Sequence, residues 1–314
     1  MLLLAASVAH SATSAPSYPL RPVRLIVPYS AGGSSDALAR IVAQRVSERL
    51  GQQLVVDNRA GAGTLIGTEI AARAAADGYT LLVATPPLVI NPTLYAKATY
   101  APERDFAAVT NMAASSNLLV VQPALPASSV KELVALLRSQ PGRYTYGSSG
   151  VGGASHLAAA LFAHMAGVEL VHVPYKGGAP MVSDLLAGRV QLAMANLTTA
   201  LPHLKSGRLR ALAIGTKVRS ALLPDMPTLS EAGITGYEAN NWNGIVVPRA
   251  TPPKVVDVLN RVVVAVLREP AVSERIANAG LDVVADTPAE FAAYLKSEAE
   301  KWAKVIRAAG IKAE

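Results

Sequence analysis

Short apolar runs alternate with longer amphipathic stretches along the chain, and glycine-rich turns separate them. Short apolar runs bounded by turn residues predict strands, whereas longer stretches with apolar positions three or four apart predict helices. The strands predicted in this way cover residues 23–27, 54–56, 79–83, 118–121, 144–146, 170–173, 192–194, 209–214 and 245–247. The predicted helices cover residues 37–50, a stretch that ends near Ala76, 129–139 with Ser128 as its cap, 154–166, 181–187 and 255–267.

The order of strand, glycine turn, helix and strand predicts an α/β fold in which helices cross over between strands. The order occurs twice, and two strand-like passages, near 118–121 and 240–247, separate the two modules. We therefore predict two α/β domains around a cleft, joined by two crossover strands. The first domain is predicted to contain residues 18–121 and 244–314, and the second residues 122–243. Ligands in such folds bind beyond the carboxyl ends of strands.

Composition and charge narrow the possible functions. Apolar residues make up 51% of the 314 and charged residues 16%, which excludes a mainly disordered chain. There is no cysteine, so disulfides, thiolate metal sites and cysteine nucleophiles are excluded. The net charge of +7 is dispersed rather than gathered in a stripe, which argues against nucleic-acid binding. A diffuse positive field instead favours encounters with small anions.

The first residues resemble an export signal. Residues 1–9 form an apolar run, and small residues at Ala9 or Ala15 are suitable cleavage positions, although no basic residue precedes the run. We expect residues 1–17 to be a signal peptide and leader, and the mature protein to be periplasmic. No later segment has the 18 uncharged apolar residues that a membrane span needs.

Two glycine-rich turns carry the clearest chemical signal. Residues 28–36, PYSAGGSSD, and residues 147–153, GSSGVGG, each follow a predicted strand and precede a predicted helix. Backbone amides at such a turn, together with the helix N-terminus, can bind an anion. An ordinary turn between a strand and a helix has the same pattern. Since each module has one such turn, the two can face each other across the cleft and share a carboxylate.

Several other sites are excluded by spacing. The glycines at 61, 63 and 67 do not fit the dinucleotide-binding pattern, and residues 147–151 do not fit a nucleophile elbow. His156, His164 and His172 are eight residues apart, which matches no common zinc pattern. We therefore expect no cofactor and no metal. Trp242, between two asparagines near the second crossover, is suited equally to lining the cleft and to packing under a hinge.

Six segments together resemble the periplasmic substrate-binding proteins of tripartite tricarboxylate transporters, the Bug receptors. The match runs in order from about Tyr18 to the C-terminus. The segments are PYSAGGSSD at 28–36, NRAGAG at 58–63, GSSGVGGASH at 147–156, VPYKGG at 173–178, LPHLKSGRLRA at 201–211 and PDMPTLSEAG at 224–233.

The resemblance implies a two-lobed, type II-like periplasmic-binding-protein fold that closes on a small organic anion. It also implies that two loops hold the ligand carboxylate, through backbone amides and ordered waters, and that the end of the third strand contributes. The residues implied to bind ligand are Tyr29, Ser30, Gly32, Gly33, Ser34, Ser35, Asp36, Thr85, Ser148, Gly150, Val151, Gly152, Ser155, His156, Ala195 and Asn196.

The sequence departs from the family pattern in two places. Many members carry Met-Phe-Asp-Asn where this chain has residues 193–196, so that Ala195 replaces an acidic residue. If that acid recognises an amino or hydroxyl group, this chain prefers a ligand without one. Residues 86–89, Pro-Pro-Leu-Val, replace a Gly-Thr-His type run, which predicts a more apolar distal pocket.

Three functions stay open at this point. The first is a monomeric solute receptor that delivers a small organic carboxylate to the membrane subunits of a transporter. The second is a periplasmic sensing module that presents its ligand to a membrane sensor kinase, and neighbouring genes would distinguish it from the first. The third is an enzyme on the same scaffold, with His156 beside Ser155 or Asp36, although no spacing requires it.

Overall fold

The computed structural model describes residues 18–175, 177–220, 223–308 and 310–311. The predicted signal segment lies outside these residues. The strands are β1 Val23–Val27, β2 Leu54–Asn58, β3 Thr80–Ala84, β4 Phe106–Val121, β5 Thr145–Ser148, β6 Val171–Pro174, β7 Leu192–Asn196, β8 Arg210–Ile214, β9 Asn240–Pro248 and β10 Asp282–Val283. The helices are α1 Ser34–Leu50, α2 Leu65–Ala72, α3 Pro87–Leu94, α4 Pro102–Asp105, α5 Val130–Ser139, α6 Ala154–Ala166, α7 Gly178–Leu186, α8 Leu197–Lys205, α9 Pro253–Leu267, α10 Pro270–Asn278 and α11 Pro288–Ala308.

One long strand, β4, joins two halves of a mixed sheet. The strand order is β2-β1-β3-β9-β4-β7-β5-β6, with β8 and β10 also paired to β4. Phe106 to Ser116 of β4 pair with β9, and Asn117 to Val121 pair with β7. Strands β1 to β3 are parallel to one another, as are β5 to β7, whereas β9 runs antiparallel to β3 and β4. The predicted α/β fold with two crossover strands is confirmed.

The molecule is two-lobed. The first lobe contains β1, β2, β3, β10, α1 to α4 and α9 to α11; the second contains β5 to β8 and α5 to α8; β4 and β9 run between them. One hydrophobic cluster lies in the first lobe around Leu25, Val42 and Leu259, and another lies in the second lobe around Val120 and Leu185. The exact residues at which two domains divide stay a prediction.

Element boundaries differ from the predicted ones for identifiable reasons. Strand β4 begins at Phe106, twelve residues before the predicted start at Leu118. The sequence did not predict this first part because buried polar residues such as Asn111 and Ser115 interrupt its apolar pattern. Helix α5 is capped by Ser129, whose side chain accepts a hydrogen bond from the backbone N–H of Glu132, so the predicted cap at Ser128 is wrong. Helix α3, which starts at Pro87, was not predicted.

A membrane span is also absent from the part of the chain that is described. None of the helices there is long and apolar enough to cross a bilayer.

Candidate ligand-binding site

The first glycine turn is held in place by a buried carboxylate. Asp36 is 3% exposed, and its side chain accepts hydrogen bonds from the backbone N–H of Gly32 at 2.9 Å, from Arg40 at 3.0 Å and from the amide of Asn58 at 3.0 Å. The hydrogen bond from Arg40 is the main reason why the pKa of Asp36 falls to about 2, and the Gly32 and Asn58 donors add to it. Asp36 is therefore ionised, and the hydrogen bonds to its carboxylate fix the conformation of the glycine turn.

The second glycine turn is held in a different way. β5 ends at Ser148 and α6 begins at Ala154, and the side chain of Ser155 accepts the N–H of Ser149 at 2.8 Å. The loop between β6 and α7 supports the same turn, because Tyr175 and Gly177 donate backbone N–H groups to the carbonyls of Ser148 and Ser149 at 3.0 and 3.1 Å. Neither interaction could be read from residue spacing.

Both turns open onto one cavity of about 500 Å³, within the ~300–1,000 Å³ typical of small-molecule sites. Among the residues that the structure describes, those lining the cavity carry no charged side chain. The wall consists of Gly32, Gly33, Ser34, Ala37, Asn117, Ser149, Ala154, Ser155, Gly178, Met181, Met194, Asn196, Thr199, Asn241 and Ala279. Hydroxyl, amide and backbone groups therefore supply its polarity.

Four helices begin at this cavity, and each contributes wall residues from its first turn or from the residue just before it: α1, α6, α7 and α8. The N-caps of α1, α6 and α7 are Gly33, Gly153 and Gly177, and none of them has a side-chain hydrogen bond at the cap. The first N–H groups of a helix have no partner within it and carry partial positive charge. The cavity therefore suits an anion although the described wall contains no cation.

The crossover strand β9 also contributes to the site. Asn241 lines the cavity, and Asn243 accepts a hydrogen bond from the side chain of Ser35 at 2.6 Å. Trp242, between them, is fully buried and donates its indole N–H to Glu298 at 3.3 Å. The alternation of a strand puts the asparagines and the tryptophan on opposite faces. Of the two roles open for Trp242, the structure shows packing.

Five of the residues implied by the resemblance lie in the cavity wall, namely Gly32, Gly33, Ser34, Ser155 and Asn196. The others lie outside it, namely Tyr29, Ser30, Ser35, Asp36, Thr85, Ser148, Gly150, Val151, Gly152, His156 and Ala195. Several of these support the turns: Tyr29, for example, shares a 2.9 Å hydrogen bond with Thr85. Burial raises the pKa of Tyr29, so its hydroxyl stays protonated.

Ala195 lies in the hydrophobic core of the second lobe. It is fully buried and belongs to the same cluster as Leu118 and Val182, whereas its neighbours Met194 and Asn196 face the cavity. Residues 86–89 also lie outside the cavity wall. The structure therefore does not bring either departure from the family pattern to the ligand site.

The groups considered for an enzyme have other partners. In the second lobe, His156 accepts the backbone N–H of Gly152 at 2.9 Å, and Ser155 is hydrogen-bonded to Ser149. In the first lobe, Asp36 forms an ion pair with Arg40. No hydrogen bond joins His156 to Ser155 or to Asp36 among the described contacts.

Ten wall residues are not among those named as ligand contacts, although two of them, Ser149 and Ala154, lie in or next to the predicted second turn: Ala37, Asn117, Ser149, Ala154, Gly178, Met181, Met194, Thr199, Asn241 and Ala279. Two signals could have found some of them. Ser149 and Gly178 lie inside quoted family segments, and Asn241 lies in the crossover run Asn240–Asn243. Nothing in the local pattern marks Thr199 or Ala279.

Comparison with known proteins decides the family. The family described as the tripartite tricarboxylate transporter family receptor matches residues 38–311. The chain belongs to this receptor family. The receptor is 38% identical to protein BugT of Bordetella pertussis over 301 residues. This alignment covers 95% of this chain and 92% of BugT.

Solved structures of similar proteins have the same fold. The receptor superposes on Rpa4515 of R. palustris with adipate at a TM-score of 0.79 and 39% identity, covering 94% of this chain and 99% of that one. It superposes on MatC of Rhodopseudomonas palustris with bound malate at a TM-score of 0.76 and 29% identity, covering 92% and 100%. It also superposes on the periplasmic binding protein BugD at a TM-score of 0.76 and 33% identity, covering 95% and 100%, so the predicted periplasmic-binding-protein fold is confirmed.

Proposed function

We propose that this receptor is periplasmic, binds a small organic carboxylate in the cavity between its lobes and delivers it to the membrane subunits of a tripartite tricarboxylate-type transporter. The observation that carries the proposal is the meeting of four helix N-termini at a cavity whose described wall has no charged side chain. Such a cavity neutralises an anion with amide dipoles and hydroxyl groups. Binding alone, without turnover, is the function that these groups support.

A small dicarboxylate is the ligand class that fits best. Two of the helices, α1 and α6, begin at the glycine turns of opposite lobes, and α7 and α8 begin at another part of the wall, near Gly178 and Thr199. One carboxylate can bind at the first pair and the second at the other, with Met181 and Met194 beside the carbon chain. The adipate and malate found in similar proteins are both dicarboxylates, which supports this class.

Closure of the two lobes follows from the same arrangement. The cavity wall includes Ser34 of the first lobe, Ser149 of the second lobe and Asn241 of the crossover strand β9. A ligand that bonds to all three gains contacts only when the lobes are together, and it therefore shifts the population towards the closed state. The closed receptor is the form proposed to meet the membrane subunits.

The test of delivery is uptake of a labelled carboxylate by cells that have or lack the gene. Deletion is expected to abolish uptake of the acid that the purified receptor binds, and the wild-type gene in trans is expected to restore it. A gene carrying Thr199→Val is expected to restore less uptake at low substrate concentration, whereas one carrying Thr235→Val, on an exposed loop, restores it fully. Unchanged uptake in the deletion strain would overturn the delivery role.

A further inference from the structure

Two imidazole rings stack directly behind the second glycine turn. His156, in the first turn of α6, and His172, in β6, have ring centroids 3.8 Å apart with their planes inclined by only 6°. Tyr146 of β5 stacks on His172 at 4.9 Å, because the register of β5 and β6 pairs these two residues. Neither histidine lines the cavity, so this stack is separate from the ligand-contacting wall.

Each ring holds one end of the turn. Nδ1 of His156 accepts the backbone N–H of Gly152 at 2.9 Å. Nε2 of His172 lies 2.6 Å from the Ser148 hydroxyl, which also accepts the N–H of Gly150 at 3.2 Å. Ser149, whose side chain and backbone lie between these anchors, lines the cavity.

We propose that His156 and His172 are a positioning pair that holds residues 148–152 in the ligand-binding conformation and makes ligand capture sensitive to acid. The inference rests on the proposed function, since it assigns a regulation to the same site. His156 can accept the Gly152 N–H only while its Nδ1 is unprotonated, so its neutral form must carry the proton on Nε2. If Nδ1 carried a proton, its N–H would face the N–H of Gly152, so the hydrogen bond between them would be lost and the turn would be released.

The surroundings favour the neutral pair. Burial, together with the neighbouring His172, lowers the pKa of His156 to about 4, and burial lowers the pKa of His172 as well. Tyr146 faces the pair from β5, and across the cleft Leu94 of α3 lies against Gly152. No carboxylate of the described chain contributes to the shift of either histidine.

The direction of the pH effect follows. Both rings are neutral at pH 7 and the turn is intact, so affinity is constant from there upwards. Affinity falls as pH drops through the low pKa of the pair, about twofold where half of the molecules are protonated and about tenfold one pH unit lower. The stability of the apo protein also falls between pH 6.5 and the lower pKa, because the unfolded state takes up the proton first.

The experiment combines adipate binding by calorimetry between pH 7 and pH 3.5 with NMR titration of the imidazoles and the Gly152 amide in the apo protein. His156→Asn keeps an acceptor near the position of Nδ1 but cannot titrate. It is expected to bind adipate at pH 7 more weakly than wild type but to lose a smaller fraction of its own affinity when the pH is lowered. His156→Leu removes the acceptor and is expected to bind weakly at pH 7. His164→Asn, on an exposed position of the same helix, is the control and should follow wild type.

The outcomes separate the two proposals. Protonation of adipate itself weakens binding equally in every variant. The difference between wild type and His156→Asn in how affinity falls with pH therefore measures the effect of protonating the histidine pair. The inference is supported if the NMR signal of the Gly152 amide shifts together with the titration of His156. It is overturned if His156 titrates near pH 6.5 without a change at Gly152, or if the affinities of wild type and His156→Asn have the same dependence on pH. Failure of wild type to bind any dicarboxylate at pH 7 refutes the proposed ligand class, and the apo titration still decides the positioning.

Discussion

Leu94, on α3 of the first lobe, lies directly against Gly152, in the glycine turn of the second lobe. A Cβ atom on Gly152 would come within 2.4 Å of Leu94 Cδ2, and Gly152 has a φ of +72°, in the left-handed region that favours glycine. The turn and the opposite lobe therefore approach each other so closely that a methyl group at this position would displace the Leu94 side chain. This contact is one of the points at which the lobes meet beside the cavity.

Gly152→Ala is expected to weaken carboxylate binding by about tenfold or more, because the new methyl group pushes Leu94 and the turn apart. Calorimetric titration measures the effect. Gly51→Ala is the matched control, since Gly51 has a similar φ of +67°, no atom near the added Cβ and a position at the C-cap of α1, at the end of that helix remote from the cavity. It should lose about 1 kcal/mol of stability and keep its affinity. Equal affinities for the two variants would contradict a role for this contact in binding.

Thr199→Val is expected to weaken binding by about tenfold, since it removes one hydroxyl from the cavity wall and keeps the side-chain shape. No protein hydrogen bond to the Thr199 side chain exists among the described contacts, so its hydroxyl can bond to ligand. Thr235→Val, at an exposed loop position, should leave the dissociation constant unchanged. If both variants bind like wild type, the second anion position is not at α8.

Asp36→Asn is expected to lower the free energy of unfolding by about 2 kcal/mol and to weaken binding as well, because a buried anion with three donors is lost. The pKa of Asp36 lies below 3.8, so its contribution is complete above about pH 4 and is lost as pH falls towards 2. Urea denaturation at pH 7 and pH 3 measures both effects. Asp257→Asn, at an exposed position of α9, is the control and should change neither quantity. A fully stable Asp36→Asn protein would mean that the turn does not depend on this carboxylate.

Ala195→Asp is expected to destabilise the protein by several kcal/mol and to leave the order of ligand preference unchanged, because it buries a carboxylate in a hydrophobic cluster rather than in the cavity. Thermal denaturation and a ligand panel measure the two effects. Ala292→Asp, on the exposed face of α11, should be nearly neutral. A stable Ala195→Asp variant with new affinity for hydroxy or amino acids would restore the interpretation drawn from the family pattern.

The alternation of apolar runs and glycine turns was enough to predict most strands, the α/β fold and the two turns at the cavity. Local pattern failed where tertiary contacts decide. Asn111 and Ser115 are buried in the part of β4 that pairs with β9, and polar residues of this kind do not predict a buried strand. Asp36 and Ser148 were placed in the right loops, but only the structure shows that they hold those loops from behind.

The cavity wall was less predictable than the fold for the same reason. Thr199 and Asn117 are far apart in the sequence, and they meet because β7 pairs with β4 and leads into α8. The choice between Ala195 and its neighbours depends on which face of β7 is turned to the cavity, and one residue of register decides it.

The most direct test of the account is a thermal-shift screen of the purified receptor against adipate, malate, their monoamides, monocarboxylates and amino acids, combined with mass spectrometry of the denatured protein to detect bound acid. A ligand that binds only the folded state at 100 times its Kd stabilises it by about 2.7 kcal/mol. We expect a clear shift with at least one dicarboxylate, a smaller shift with its monoamide, and a reduced shift in Thr199→Val. No shift with any acid, and no acid released on denaturation, would contradict carboxylate binding in this cavity.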